Sequence, residues 1–160
     1  MAPPRNDSNP PDAHAALPYR DCVAAVILDG HGNVLAGRKH TAWHLPQGGI
    51  TQGETPEQAL TRELAEELGT DKFIILSSSP TWRTYDWPWP MRKGGTLYRG
   101  QRQRYYLAMF DGTAADLDPH RHGEFSELAW MTPAELLERA WEVKRPVYEQ
   151  VFKEFGLCRP

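Results

Sequence analysis

A chain of 160 residues with a formal net charge of −3, 40% hydrophobic and 24% charged residues has the length of one domain and the composition of a soluble globular protein. The mildly acidic balance gives no general affinity for polyanions, and no apolar run approaches the roughly 18 residues of a membrane span, so no membrane partner is implied. Two cysteines, Cys22 and Cys158, form no CxxC or metal-binding spacing and imply a reducing, cytoplasmic compartment.

The N-terminus, MAPPRNDSNPPDAHAALP, lacks the charged and apolar blocks of a secretory signal. It reads as a flexible tail over residues 1–17, ahead of a single domain over residues 18–157. YRDCVAAVILD and NVLAGRK, separated by the breaker GHG, predict a strand hairpin near 20–28 and 33–39. Thr55-Pro56-Glu57-Gln58 then announces a helix, with Thr55 at the N-cap, proline in the first turn and Gln58 completing a capping box. Gly69 ends it.

KFIILSSSPTWRTY reads as a strand running into a long connection rich in proline and glycine, and QRQRYYLAMF as a further strand. Between Thr81 and Tyr105, six basic residues (Arg83, Arg92, Lys93, Arg99, Arg102, Arg104) are interleaved with aromatic rings. Such a segment reads either as a surface for phosphates and bases or as a strand pair with a solvated face and core aromatics. DGTAADLDPHRHG is turn-forming, FSELAWM a short strand, and Thr132-Pro133-Ala134-Glu135 opens a second helix. A last helix over about 146–155 carries Val147, Val151 and Phe155 as its buried stripe. The pattern predicts a mixed sheet with helices packed on it.

In the first helix, Leu60, Leu64 and Leu68 form an apolar stripe at helical spacing. Glu63, Glu66 and Glu67 cluster on a face that borders it, displaced by roughly 105°. Carboxylates crowded at a cleft edge repel one another, and a hard divalent cation relieves that repulsion. The Pro-Gln-Gly-Gly segment directly upstream permits close approach of backbone to a ligand. The six histidines show no ligand spacing, although His44 lies next to that segment.

From Gly48 onward the residues Gly48, Glu54, Arg62, Glu63, Leu64, Glu66, Glu67 and Gly69 fall in the register G-x5-E-x7-R-E-U-x-E-E-x-G. This resembles the Nudix box of hydrolases that cleave nucleoside diphosphates linked to another group. The resemblance implies an α/β (α+β) protein, an α/β/α sandwich with a mixed sheet, and a phosphoanhydride hydrolase that uses Mg²⁺ or Mn²⁺. Thr70 departs from the box, which usually has an aliphatic residue there.

Tyr19-Arg20, WHLPQGGI, GQRQRYYL, Glu124-Phe125 with Trp130, and VKRPVYEQVFKEF resemble bacterial RNA 5′-pyrophosphohydrolases and their diadenosine polyphosphate hydrolase relatives over about residues 19–155. The resemblance implies Glu63 and Glu67 as metal ligands, Glu66 as a further ligand or the base, and Glu124 as an acid reaching the metals from outside the box. Arg62 would orient the carboxylates or form a structural ion pair. Arg38, Lys39, Tyr85, Gln101 and Lys144 match positions that hold phosphates or the first nucleotides. The implied substrate is 5′-triphosphorylated RNA, left as a more readily degraded 5′-monophosphate; a dinucleoside polyphosphate is the alternative, and a non-catalytic RNA-binding module a third reading. Glu142-Val143-Lys144 stands where the family commonly has Ser-Phe-Lys, and Asp21-Cys22-Val23 where it has Pro-Asn-Val.

Overall fold

A computed structural model describes residues 13–120 and 124–157. Residues 1–12 of the expected tail, His122 and Cys158 lie outside the described residues. Among those described, eight strands join in one mixed sheet: β1 (Tyr19–Leu28), β2 (Val34–Lys39), β3 (Ala42–His44), β4 (Gln47–Gly49), β5 (Phe73–Ser78), β6 (Arg83–Lys93), β7 (Thr96–Phe110) and β8 (Glu127–Met131). Three helices accompany it: α1 (Pro56–Leu68), α2 (Pro133–Arg139) and α3 (Arg145–Glu154). None is long and apolar enough to cross a membrane.

The central strand explains the layering. Successive side chains of a strand point to opposite faces, and β1 is apolar on both. Val23, Ala25 and Ile27 pack with Leu60, Leu64 and Leu68 of α1 on one face. Ala24 and Val26 pack with Leu136 of α2 and Val147, Tyr148, Val151 and Phe152 of α3 on the other. Two cores, one on each side of the sheet, give the α/β/α sandwich. In α3 the buried stripe is completed by Tyr148 and Phe152; the helix ends at Glu154, so the expected third member, Phe155, is only half-buried.

β1 and β7 run parallel from Tyr19↔Gly100 to Leu28↔Met109. The Pro-Gln-Gly-Gly segment is not a loop: Gln47–Gly49 pairs antiparallel with Cys22–Ala24. Gly48 and Gly49 are therefore part of the sheet. The connection expected after Tyr85 is also a strand. β6 continues through Pro88 and Pro90, where its pairing to β7 shifts register between Asp86 and Met91. Proline cannot donate to a ladder, so it is tolerated at such an irregularity. Gly94 and Gly95, both at positive φ, then make the two-residue turn into β7.

Candidate active site

The capping signals of α1 act as anticipated. Thr55 Oγ1 accepts from the Gln58 N–H at 3.2 Å, and Gln58 Oε1 accepts from the Thr55 N–H at 3.0 Å. Gly69 closes the helix in the left-handed conformation, at φ 76°. Thr70 is buried, and its hydroxyl accepts the Lys72 N–H at 3.1 Å, which satisfies the polar atom that replaces an aliphatic contact.

The three clustered acids of α1, Glu63, Glu66 and Glu67, do not share one environment. Glu67 is only 3% exposed, and its Oε1 accepts the backbone N–H of Gln47 at 2.8 Å. Burial pushes its carboxyl well above the usual range, and the nearby charge of Glu124 adds to this. Glu63 is raised for the same first reason, with Arg62 opposing. Glu66 is much more exposed. The helix thus presents a gradient of carboxylates from core to solvent.

Arg62 organises that gradient. Its guanidinium donates to both oxygens of Glu54, at 2.7 and 2.8 Å, to Glu63 at 2.7 Å and to the Gly49 carbonyl at 2.9 Å; Glu66 stands 3.5 Å away. Glu54 is held down to about 2 by this pairing. Gly48 completes the arrangement, because a Cβ at that position would overlap the Glu63 carboxylate. Here glycine is required by close approach.

Glu63, Glu67 and Glu124 line one cleft of about 580 Å³. Lys39, Tyr85, Gln101 and Lys144 line it too. Of the other expected residues, Gly48 is in the lining, whereas Glu54, Arg62, Glu66 and Gly69 lie behind or beside it. Arg38 points to the neighbouring strand, with Glu127 at 3.3 Å and Ser126 at 3.3 Å.

The cleft floor holds a polar network. Tyr85 O–H donates to Gln101 Oε1 at 2.9 Å, and Gln103 Nε2 donates to Gln101 at 2.9 Å and to Gln47 at 3.1 Å. Lys144 is 5% exposed, with its ammonium 5.5 Å from the Tyr85 ring centroid. Burial pulls it down to about 8. His44 in the same cleft is pulled to about 3, by burial first and then by Lys144 and Lys39, so its imidazole is neutral.

Sequence reasoning missed Arg20, whose guanidinium packs on Gly49 inside the cleft, and Gln47 and Gln103, which tie its floor together. The alternation of polar residues on QRQRYY carried a signal for Gln103; Arg20 stood within the Tyr19-Arg20 pair of the resemblance, but no role in the site was read from it.

The basic segment 81–105 is a strand pair, and most of its cations serve the fold. Arg83 pairs with Glu154 at 2.6 Å, Arg99 with Asp86 at 2.8 Å and Arg102 with Asp21 at 2.8 Å. Arg104 lies over Tyr106, and Arg92 donates to the Gly95 carbonyl. Of the six, Lys93 alone lines the cleft.

A mixed sheet between two helical layers, with a glycine strand facing an acid-bearing helix, matches the NUDIX domain over residues 18–151, and the chain belongs to that family. Hydrolases of this family generally use divalent metal ions. The chain is 43% identical to the RNA pyrophosphohydrolase of Dinoroseobacter shibae, over 91% of this chain and 97% of that one. It is 41% identical to the RNA pyrophosphohydrolase of Rickettsia bellii, covering 89% and 92% respectively. The fold is shared with the E. coli dihydroneopterin triphosphate pyrophosphohydrolase, at TM-score 0.63, 15% identity and 86% and 99% coverage. It is also shared with a C. elegans Ap4A hydrolase, at TM-score 0.60, 18% identity and 86% and 98% coverage.

Among the described residues, no three His, Cys, Asp or Glu side chains form a ready-made metal cage. The donor chemistry nevertheless fits a hard cation. Buried Glu67 and part-buried Glu63 are both raised first by desolvation and then by neighbouring carboxylates, Glu124 and Glu63 for Glu67 and Glu66 and Glu124 for Glu63, and a divalent ion offsets both costs.

Proposed function

We propose that this protein is a metal-dependent RNA 5′-pyrophosphohydrolase whose catalytic unit is residues 18–157. The observation that carries the reading is the cleft in which Glu63, Glu67 and Glu124 meet the cations Arg20, Lys39 and Lys144. Acids alone would repel a polyphosphate, and cations alone would hold it without activating water. Glu63, Glu67 and Glu124, with Glu66 beside them, would hold Mg²⁺ or Mn²⁺, which when bound neutralises phosphate oxygens and lowers the pKa of water.

The chain's own residues supply the rest. Lys144, protonated below about pH 8, and Lys39 attract the 5′-phosphates. Glu66, the most solvent-accessible of the three clustered acids, would take a proton from the attacking water. The water oxygen forms a bond to phosphorus, the anhydride P–O bond breaks, and the bridging oxygen leaves with the departing phosphate group. Arg62 acts as a positioning residue through Glu54 and Glu63. Tyr85 and Gln101, joined by their hydrogen bond, would receive the first nucleotide. Arg38, committed to Glu127, would serve by fixing the β2 end beside Lys39. A cytoplasmic site of action agrees with a reduced, buried Cys22.

A panel of 5′-triphosphorylated RNA and diadenosine polyphosphates, with products identified, tests this reading. Release of pyrophosphate or phosphate from RNA at the higher kcat/KM supports it. A strong preference for the dinucleotide would move the assignment to that substrate, and metal-independent RNA binding without turnover would remove the enzyme altogether.

A further inference from the structure

β6 turns alternate residues into the cleft: Tyr85, Trp87, Trp89, Met91 and Lys93 all line it. Tyr85 and Trp87 are buried, but Trp89 is 64% exposed, above any other large hydrophobic residue described. An indole left so open on a cleft wall is a ready stacking surface. Four residues further on stands Lys93, the single cation of its segment that faces the cleft. The strand is held by the Gly94-Gly95 turn and by Arg92 donating to the Gly95 carbonyl at 2.8 Å, so this wall is preformed.

We propose that Trp89 and Lys93 form a subsite for single-stranded RNA beyond its first nucleotide, with Trp89 stacking a base and Lys93 meeting a backbone phosphate. The inference rests on the RNA reading above. Tyr85, joined to the acid centre through Gln101, Gln103 and Gln47, marks the inner end of the row. Trp89 lies four residues, about 13 Å, further out along the strand. That is too far for a group sharing the 5′ phosphates' site, and suits a nucleotide that follows. An aromatic face followed by a cation is the pairing that single strands require, since every base has a π-face and every linkage a charge.

Binding of 5′-monophosphorylated oligoribonucleotides of two and six nucleotides, measured by calorimetry on the full chain, tests the subsite without turnover. The wild type should bind the hexamer more tightly than the dimer. Stacking losses of about five- to a hundred-fold per base are typical of alanine substitution. Trp89→Ala should therefore lower the hexamer-to-dimer affinity ratio by about tenfold, and Trp89→Phe should restore most of it. Lys93→Gln should lower the ratio and flatten its salt dependence. An unchanged ratio in Trp89→Ala, or equal wild-type affinity for both lengths, would overturn the proposal. Failure of the RNA reading shows elsewhere, as no release from triphosphorylated RNA by the wild type; the length ratio decides the subsite independently.

Discussion

Glu67 of α1 accepts a 2.8 Å hydrogen bond from the backbone N–H of Gln47 in β4, so the deepest acid of the helix is held by the strand that carries the two glycines. Glutamine at 67 keeps an acceptor for that N–H and removes the charge. Glu67→Gln should lower kcat by at least about 10²-fold, as should chelation of divalent ions in the wild type. The linkage has a defined sign. Because the folded carboxyl is raised, its contribution to stability is full below the ordinary carboxyl range and is lost as pH rises toward the folded value. In chelator, wild-type stability should therefore fall more than that of Glu67→Gln as pH rises above the ordinary carboxyl range, as read by urea unfolding. Equal slopes would show that Glu67 is not strained.

Lys144 gives the complementary case. Its pKa is depressed from 10.5 to about 8 by burial, so stability is present above about pH 10.5 and lost as pH falls through about 8. Holding the ammonium charged in the fold costs about 3 kcal/mol on this account. Lys144→Met should unfold at higher urea than wild type at pH 7, with the gap closing near pH 10.5. The same variant should raise KM for triphosphorylated RNA, and wild-type KM should climb as pH passes about 8. A variant both less stable and unimpaired in KM would refute this.

Arg62 and Glu54 should behave as a unit. Lysine cannot make the two parallel bonds that the guanidinium gives Glu54 while also reaching Glu63 and Gly49. Arg62→Lys and Glu54→Gln should each lower kcat tenfold or more with a smaller change in KM, and the double variant should be little worse than either. Multiplicative losses would show that the two residues act separately.

Gly48→Ala inserts a methyl where the Glu63 carboxylate sits. A flexible carboxylate can swing away, so the fold should survive with a modest fall in thermal stability while activity drops by about 10² or more. Mg²⁺-induced stabilisation, measured by thermal unfolding, should weaken in parallel. Retained activity with collapsed stability would place the importance of Gly48 in the backbone instead.

What the sequence made visible was local. The Thr55–Gln58 box and the Gly69 cap are interactions between residues at most four apart, and they occur as read. The burial of Glu67 was not visible on the helix, because it depends on β4 lying against it. The fate of the basic segment was hidden for the same reason: Arg83, Arg99 and Arg102 find their acids 71, 13 and 81 positions away. Pro88 and Pro90 read as breakers because a single chain does not disclose that the ladder slips there. The site was legible where it followed the helix and obscure where it was assembled by the sheet.

The parallel pairing of β1 with β7 has a consequence in time. Tyr19 meets Gly100 and Leu28 meets Met109, so the centre of the sheet joins segments about eighty positions apart. Closing so long a loop costs entropy before any contact repays it, and non-local parallel pairing is slow. The helix α1 and its caps need only local contacts, whereas the cleft its acids face needs the distant strand pair. The acidic helix is thus an early element and the site a late one: refolding followed by far-ultraviolet signal should run ahead of the recovery of activity.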